Sequence, residues 1–315
     1  ALALAPSTAK PLLWTLIAVI AVASATQDIA IDALAIRITP EKLLGIVTSI
    51  RVAAYRGAMI VAGAGLALLT AVTGWRVALL AGAAITAAAL ALTTVLPSET
   101  GFAKHRGSPF AGVAHWLTQP RAALFLAIAF LYKLGDVALA PMAKILWKDR
   151  GFSTAEVGAV GTGVGMAFLI AGVFVGGVFV TRFGIYRGLL WLGVAQMISN
   201  VGYALLAAST AGRPAFYTVG IIEYFTGGLG TTAFLAFLMA ICDREFAATQ
   251  YAMLSAVFAL SRSLAGTASG WAVDRIGYVS YFWITVALAL PGLALGALLR
   301  NVPLVAPSRE ELVDV

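Results

Sequence analysis

Four carboxylates stand inside long apolar stretches where ordinary packing has no use for them: Asp28, Asp32, Asp136 and Glu223. Three cations, Arg56, Lys133 and Arg262, are placed in the same way. A charge at the centre of a hydrocarbon layer costs about 2.5–3.5 kcal/mol on insertion scales, so each needs a partner, a proton or access to water. Asp28 and Asp32 are spaced i,i+4 and lie one helical turn apart on one face. Two like charges that close favour retention of a proton, which is what a proton-coupled device needs. Asp32 could equally pair with Arg51 or Arg56 on the following run. Lys133 and Asp136, spaced i,i+3, can neutralise each other as a brace or act directly in coupling and substrate contact. Glu223 has no basic neighbour on its own run, and reads either as a proton carrier or as a protonated side chain bonded to another helix.

Neutral groups offer binding chemistry beside these charges. Gln196 and Asn200, also i,i+4, could present amides to sugar hydroxyls or hold helices together. Tyr132, Trp147, Trp191, Tyr203 and Tyr224 could stack on a sugar ring, although most aromatics in such a chain anchor or pack. Gly227-Gly228-Leu229-Gly230 and the Gly161, Gly163, Gly165 series resemble nucleotide loops only superficially. Neither follows a strand or leads into Lys-Ser/Thr, so close helix packing or a hinge is expected. There is no G-x-S-x-G or H-E-x-x-H pattern, His105 and His115 share one polar segment, and Cys242 is the single cysteine. Neither an enzyme, a metal site, a disulfide framework nor a bound cofactor is expected.

The elements that hold these residues follow from composition. Hydrophobic residues make up 61% of the 315 and charged residues 11%, where a soluble domain carries about 25% charged residues. That is too few for a water-facing surface, and the chain reads as a polytopic all-α membrane protein whose surroundings are a lipid bilayer. Nine apolar runs are long enough to cross, at about 12–38, 44–73, 76–97, 121–147, 155–180, 185–209, 214–241, 246–272 and 279–299. None alternates as a barrel strand would, so all are helices. The net charge of +7 does not indicate nucleic acid, because the basic residues sit at the ends of runs.

Those ends set orientation. One side collects Arg37, Lys42, Lys104, Arg106, Arg121, Arg182, Arg187, Arg244, Arg300 and Arg309; the other collects Lys10, Arg76, Lys148, Arg150, Arg213 and Arg275. The richer side is expected in the cytoplasm, together with the C-terminus.

An internal repeat extends the architecture. Arg56, followed by Gly57, Gly63 and Gly65 and the turn Gly74-Trp75, is matched by Arg262, Gly266, Gly270 and the turn Gly277-Tyr278, about 205 residues later. Counted back from Arg121, this spacing places a first helix about 85 residues before Ala1, with room for three more spans. Ala1 to Pro6 itself reads like the end of an apolar helix. Twelve helices in two halves of six is the layout of major facilitator transporters. The division expected is the remainder of an N-terminal bundle over 1–97, a cytoplasmic linker over 98–120, a six-helix C-terminal bundle over 121–300 and a cytoplasmic tail over 301–315.

Several short motifs are more specific. Gln27-Asp28-Ile29 with Asp32-Ala33, and Ala54-Tyr55-Arg56-Gly57, resemble the fourth- and fifth-helix signatures of the muropeptide permease family. The resemblance continues in Tyr132-Lys133-Leu134-Gly135-Asp136, Ser199-Asn200-Val201-Gly202-Tyr203, Gly227-Gly228-Leu229-Gly230-Thr231 and Ala248-Thr249-Gln250-Tyr251-Ala252, and runs from about Thr26 to Pro291. Gly177 to Gly184 looks like the loop signature of the wider superfamily, with Thr181 where an Asp is usual. The resemblance implies a proton-driven symporter, energised by the proton gradient, that imports N-acetylglucosaminyl-anhydro-N-acetylmuramyl peptides for peptidoglycan recycling. It would be a multi-pass protein of the bacterial inner membrane, monomeric at full length. Asp28, Asp32, Asp136 and Glu223 become proton-coupling candidates. Gln27, Arg56, Tyr132, Lys133, Gln196, Asn200, Tyr203 and Tyr224 become substrate-binding candidates. One departure bears on the substrate: where the permeases usually continue Tyr-Arg, this chain has Leu34-Ala35, which looks more like related siderophore importers. A different reading is a non-transporting fragment or scaffold, in which a second copy or a partner would have to cover groups such as Asp28.

Overall fold

A computed structural model describes residues 10–94 and 109–302. The remainder of the expected linker and tail, with Lys104, His105, Arg106 and Arg309, lies outside the described residues. Every regular element among the described residues is helical: α1 (Lys10–Ile38), α2 (Leu44–Ile60), α3 (Leu66–Thr73), α4 (Trp75–Thr93), α5 (Pro109–Leu117), α6 (Ala122–Leu131), α7 (Leu134–Asp149), α8 (Thr154–Gly158), α9 (Gly165–Phe183), α10 (Ile185–Ala208), α11 (Arg213–Ala240) and α12 (Ala247–Ala297). π-helical turns at Val61–Gly65 and Ala159–Val164 join α2 to α3 and α8 to α9, so each joined pair forms one span.

Eight of the resulting helices are long and apolar enough to cross a membrane. The ninth expected span is the second arm of α12. At 51 residues, α12 would be about 75 Å long if straight, more than twice the hydrocarbon thickness. It is divided at Gly277, whose backbone is non-helical (φ 73°, ψ 165°). Gly74 (φ 86°, ψ 166°) and Gly184 (φ 87°, ψ 160°) adopt the same conformation between α3 and α4 and between α9 and α10. A side chain would clash with its own backbone there, so glycine lets one span end and the next begin with no loop. The turn pair Gly74 and Gly277 read from the repeat is thus joined by a third, Gly184. Alanine at Gly184 is expected to cost about 1–3 kcal/mol, seen as a lower unfolding temperature of the detergent-purified protein. Alanine at Gly227, helical and with open space around its missing Cβ, should not destabilise, and by helix propensity should gain up to about 1 kcal/mol.

The chain divides into two compact units, Ala1–Asp32 with Ala54–Arg106, and Ala33–Ala53 with Gly107–Val315. In the first, α3 and α4 fold back on each other through Gly74, with Leu66 against Gly82. Val72, Trp75, Leu90 and Leu92 point outward, as on a lipid-facing surface.

In the second unit, glycines let helix backbones approach. Gly172 of α9 lies against the Phe225 carbonyl of α11, Gly228 of α11 lies against the Leu169 carbonyl, and a Cβ on Gly176 would stand 3.0 Å from the Leu229 oxygen. Lipid tails are as apolar as the side chains, so this close packing supplies attraction that burial alone does not. The same seam receives α2. Gly45 and Ser49 fit over Gly177, and Ser49 Oγ donates to the Val173 carbonyl at 2.8 Å. Thr181, at the position where an Asp is usual, accepts the Ile46 amide at 3.0 Å and satisfies one orphan donor in the first turn of α2.

Residues 109–117, within the expected linker, form α5 and dock on this unit. Trp116 is fully buried, with Nε1 donating to the Ile241 carbonyl at 3.0 Å, and Gln250 Nε2 donates to the Gly112 carbonyl at 3.3 Å. The signal in the sequence is the helical spacing of Gly112, Val113 and Trp116, while Leu117 stays exposed.

Candidate functional site

The site begins where a span is interrupted. Residues 122–149 form one apolar stretch, yet the helix breaks at Tyr132-Lys133 and restarts as α7, with Lys133 at φ −97°, ψ 2°. A break within a membrane frees backbone groups that must find new partners. The freed Phe130 carbonyl accepts from Ser261 Oγ of α12 at 2.7 Å. Tyr132 anchors the other flank: its hydroxyl donates to the Leu189 carbonyl at 2.7 Å, and its ring stacks on Phe234 at 5.5 Å. Gly292 lies directly against the Tyr132 backbone, and Gly135 against the Thr285 carbonyl, so the second arm of α12 nests into the break.

The break holds a charge pair. Asp136 lies in the first turn of α7, where the positive end of the helix dipole favours a carboxylate. Its Oδ2 is 2.8 Å from Lys133 Nζ, and that ammonium donates to Gln196 Oε1 of α10 at 3.0 Å. The Lys133 side chain is 3% exposed and that of Asp136 18%. The lysine is therefore sealed in, while the carboxylate keeps an opening. That opening is a cavity of about 10 Å³ lined by Tyr132, Asp136, Gln196, Asn200, Ala289 and Leu293, among others, which is room for about one water. Gln196 Nε2 and Asn200 Oδ1 are buried and have no protein partner. One donor and one acceptor, a turn apart on α10, are thus held ready beside a carboxylate.

Gly230 of α11 makes the Gln196 position possible. A Cβ there would overlap Gln196 Oε1 and reach within 3.0 Å of its Cδ. The obstructed group is the end of a flexible side chain, so Gly230→Ala should fold but turn the amide away from Lys133. Hydrogen bonds to charged groups contribute about 1.5–3 kcal/mol, and a loss in that range is expected in unfolding measurements. Added to Gln196→Ala, Gly230→Ala should cost little more, because the bond is already gone.

Glu223 of α11 is half-buried and lies within electrostatic reach of Asp136, Lys133 and Lys144. The basic neighbours absent from its own helix are supplied by α7 and by the break before it. Tyr224 packs its ring over Gly165, where a Cβ would stand 2.6 Å from Cδ2. Tyr203 is buried against Phe282 at 5.7 Å, and Trp147 is enclosed by Phe152 and Phe216 at 4.9 and 5.8 Å. Of the aromatics considered, only Tyr132 lines the cavity. Trp191 is 65% exposed on the outer face.

The first unit carries the remaining candidates. Gln27 and Asp28 are exposed on α1, and Asp32 is half-buried one turn on. Arg56 of α2 points a guanidinium nitrogen at Met59 Sδ, 3.9 Å away, and its Nε is buried without a partner. In the second unit, Ala35 is buried and Leu34 half-buried, so the departure at this point substitutes small and apolar side chains in a packed environment. Ser261 and Gly292 stand outside the motifs read from the sequence, and Gly230 is marked there only as a glycine for close helix packing. Their only signal was a hydroxyl or glycine amid larger apolar residues. Among the described residues no three His, Cys, Asp or Glu side chains are grouped as a metal site would require.

Comparison with known proteins adds a lineage to this geometry. The profile of the Major Facilitator Superfamily matches residues 125–313. The chain is 34% identical over 299 residues to the anhydromuropeptide permease of Escherichia coli (strain K12), covering 93% of this chain and 61% of that protein. It is 31% identical over 291 residues to an uncharacterized protein of Haemophilus influenzae, covering 87% of this chain and 68% of that one. A protein named as an AmpG transporter in Rickettsia conorii is 28% identical over 285 residues. The chain thus spans 61% of the length of the Escherichia coli permease.

Proposed function

We propose that this chain, which belongs to the Major Facilitator Superfamily, is a proton-coupled symporter that imports anhydro-muropeptides for peptidoglycan recycling across the inner membrane of a bacterium. The observation that carries the coupling is the Lys133–Asp136 pair, its lysine buried and its carboxylate open to a small cavity, at an interrupted span beside two amide atoms with no protein partner. Interrupted helices with ionisable groups at mid-span mark ion and substrate sites in secondary transporters. The similarity to the anhydromuropeptide permease supports the solute.

In this account protonation of a carboxylate links the inward and outward states of an alternating-access cycle. Asp136 and Glu223 share one electrostatic environment in the C-terminal bundle. Asp28 and Asp32 supply a second pair on α1. A cavity of about 10 Å³ admits water but no disaccharide, whereas ligand pockets run to about 300–1,000 Å³. Gln196 and Asn200 therefore meet sugar hydroxyls only when the helices around them part. Gln27, Arg56, Tyr132, Lys133, Tyr203 and Tyr224 complete the proposed contacts. The driving force is the membrane gradient, about 2.3 kcal/mol per charge per 100 mV, and the protein needs no cofactor and carries out no covalent chemistry. The C-terminus lies in the cytoplasm, and the working unit is a monomer.

Asp28→Asn separates coupling from binding. The variant should insert and fold normally, exchange labelled substrate down its gradient, and fail to accumulate it uphill. Accumulation at the normal level would remove Asp28 from the coupling mechanism.

A further inference from the structure

The antiparallel register of α10 against the second arm of α12 brings two arginines together at one end of the bundle. A Cβ on Gly193 would lie 2.6 Å from Leu293, and one on Gly296 4.0 Å from Leu190. As one helix descends from 193 to 190, the other climbs from 293 to 296. One further turn sets Arg187 beside Arg300. Both are exposed, and among the described residues neither guanidinium has a carboxylate partner. Between them opens a cleft of about 690 Å³ lined by Tyr186, Arg187, Leu190, Trp191, Val194 and Arg300.

Depth and chemistry are graded along this cleft. Arg187 lies just after the Gly184 turn, and Arg300 at the end of the last span, so both stand where a span leaves the hydrocarbon. Tyr186 and Trp191 are amphipathic residues of the kind that settle at the headgroup level. Leu190 and Val194 continue one turn deeper. Trp191, Ile198 and Leu205 form an exposed apolar stripe at seven-residue intervals, running down the same helix beneath Arg187. Two guanidinium forks above an apolar trough match a phosphodiester above an acyl chain.

We propose that this cleft is a binding site for an anionic phospholipid, with the headgroup phosphate between Arg187 and Arg300 and an acyl chain along Leu190, Val194 and the outer face of α10. A net negative headgroup is favoured over a zwitterionic one because two cations converge and, among the described residues, no carboxylate pairs with either. The site is separate from the transport site and does not depend on the identity of the solute.

The test is native mass spectrometry of the full-length protein, delipidated and then titrated with phosphatidylglycerol or phosphatidylcholine. The wild type should retain phosphatidylglycerol preferentially. Arg187→Gln and Arg300→Gln should each lower that retention roughly five-fold, and the double variant roughly thirty-fold, if each basic residue contributes as it does near an anionic surface. Arg182→Gln, an exposed arginine near the same membrane face but outside the cleft lining, should leave it unchanged. Equal retention of both lipids, or retention undiminished in the double variant, would overturn the proposal. Displacement of the lipid by millimolar glycerol 3-phosphate would likewise overturn it, by showing a site for soluble phosphate.

Discussion

Asp136→Leu is expected to abolish uptake and to destabilise the protein by about 3–5 kcal/mol, the cost of leaving one member of a buried ion pair without the other. The Lys133 ammonium would remain sealed, with Gln196 Oε1 as its remaining protein partner. Lys133→Met should be milder, because Asp136 keeps its opening to the cavity and its place in the first turn of α7. The double variant removes both charges, and apolar replacements of buried pairs are often near neutral in stability. Most of the lost stability should therefore return in the Lys133→Met, Asp136→Leu protein. Transport should not return, because the coupling account requires the charges themselves. A double variant that is both stable and active would reduce the pair to a brace between α6 and α7. Unfolding temperature and uptake, measured on all three proteins, decide between the two roles.

The second large effect is expected at Gly292. A Cβ there would collide with the Tyr132 backbone, and neither helix can retreat without disturbing the break that holds Lys133. Overpacking a fitted core costs about 1–3 kcal/mol and sometimes more. With backbone on both sides the upper end is expected, together with loss of transport. Gly135→Ala meets the Thr285 carbonyl in the same way and should behave alike. Gly296→Ala, four residues further along α12 and with Leu190 at an ordinary 4.0 Å, is the control and should be close to neutral. If Gly292→Ala purified with wild-type stability and activity, the nesting of α12 into the break would not matter to function.

Much of the architecture was legible because a membrane span is a long, simple signal. The apolar runs, their helical nature and the Gly74 and Gly277 turns follow from hydropathy and from the special role of glycine. The Lys133–Asp136 pairing was legible from i,i+3 spacing alone. The interruption of the span at Tyr132-Lys133 was not. Nothing local stops a helix there, and the break is held by partners distant in sequence: Ser261 on Phe130, Gln196 on Lys133 and Gly292 on Tyr132. For the same reason Gly228 and Gly230 could be read as packing glycines, while Gly230's effect on Gln196 could not. The burial of Tyr203 against Phe282, and of Trp147 between Phe152 and Phe216, also depends on which helices are neighbours. An aromatic in an apolar run carries no mark of whether it will face a cavity, a core or lipid.

The central claim, proton-driven import of a muropeptide, is tested most directly by uptake of radiolabelled anhydro-muropeptide into cells that lack their own permease and express the full-length protein, with and without a protonophore. The account predicts accumulation above the external concentration that collapses when the protonophore is added. Failure of a well-expressed and correctly inserted protein to take up the label, or uptake indifferent to the protonophore, would contradict it.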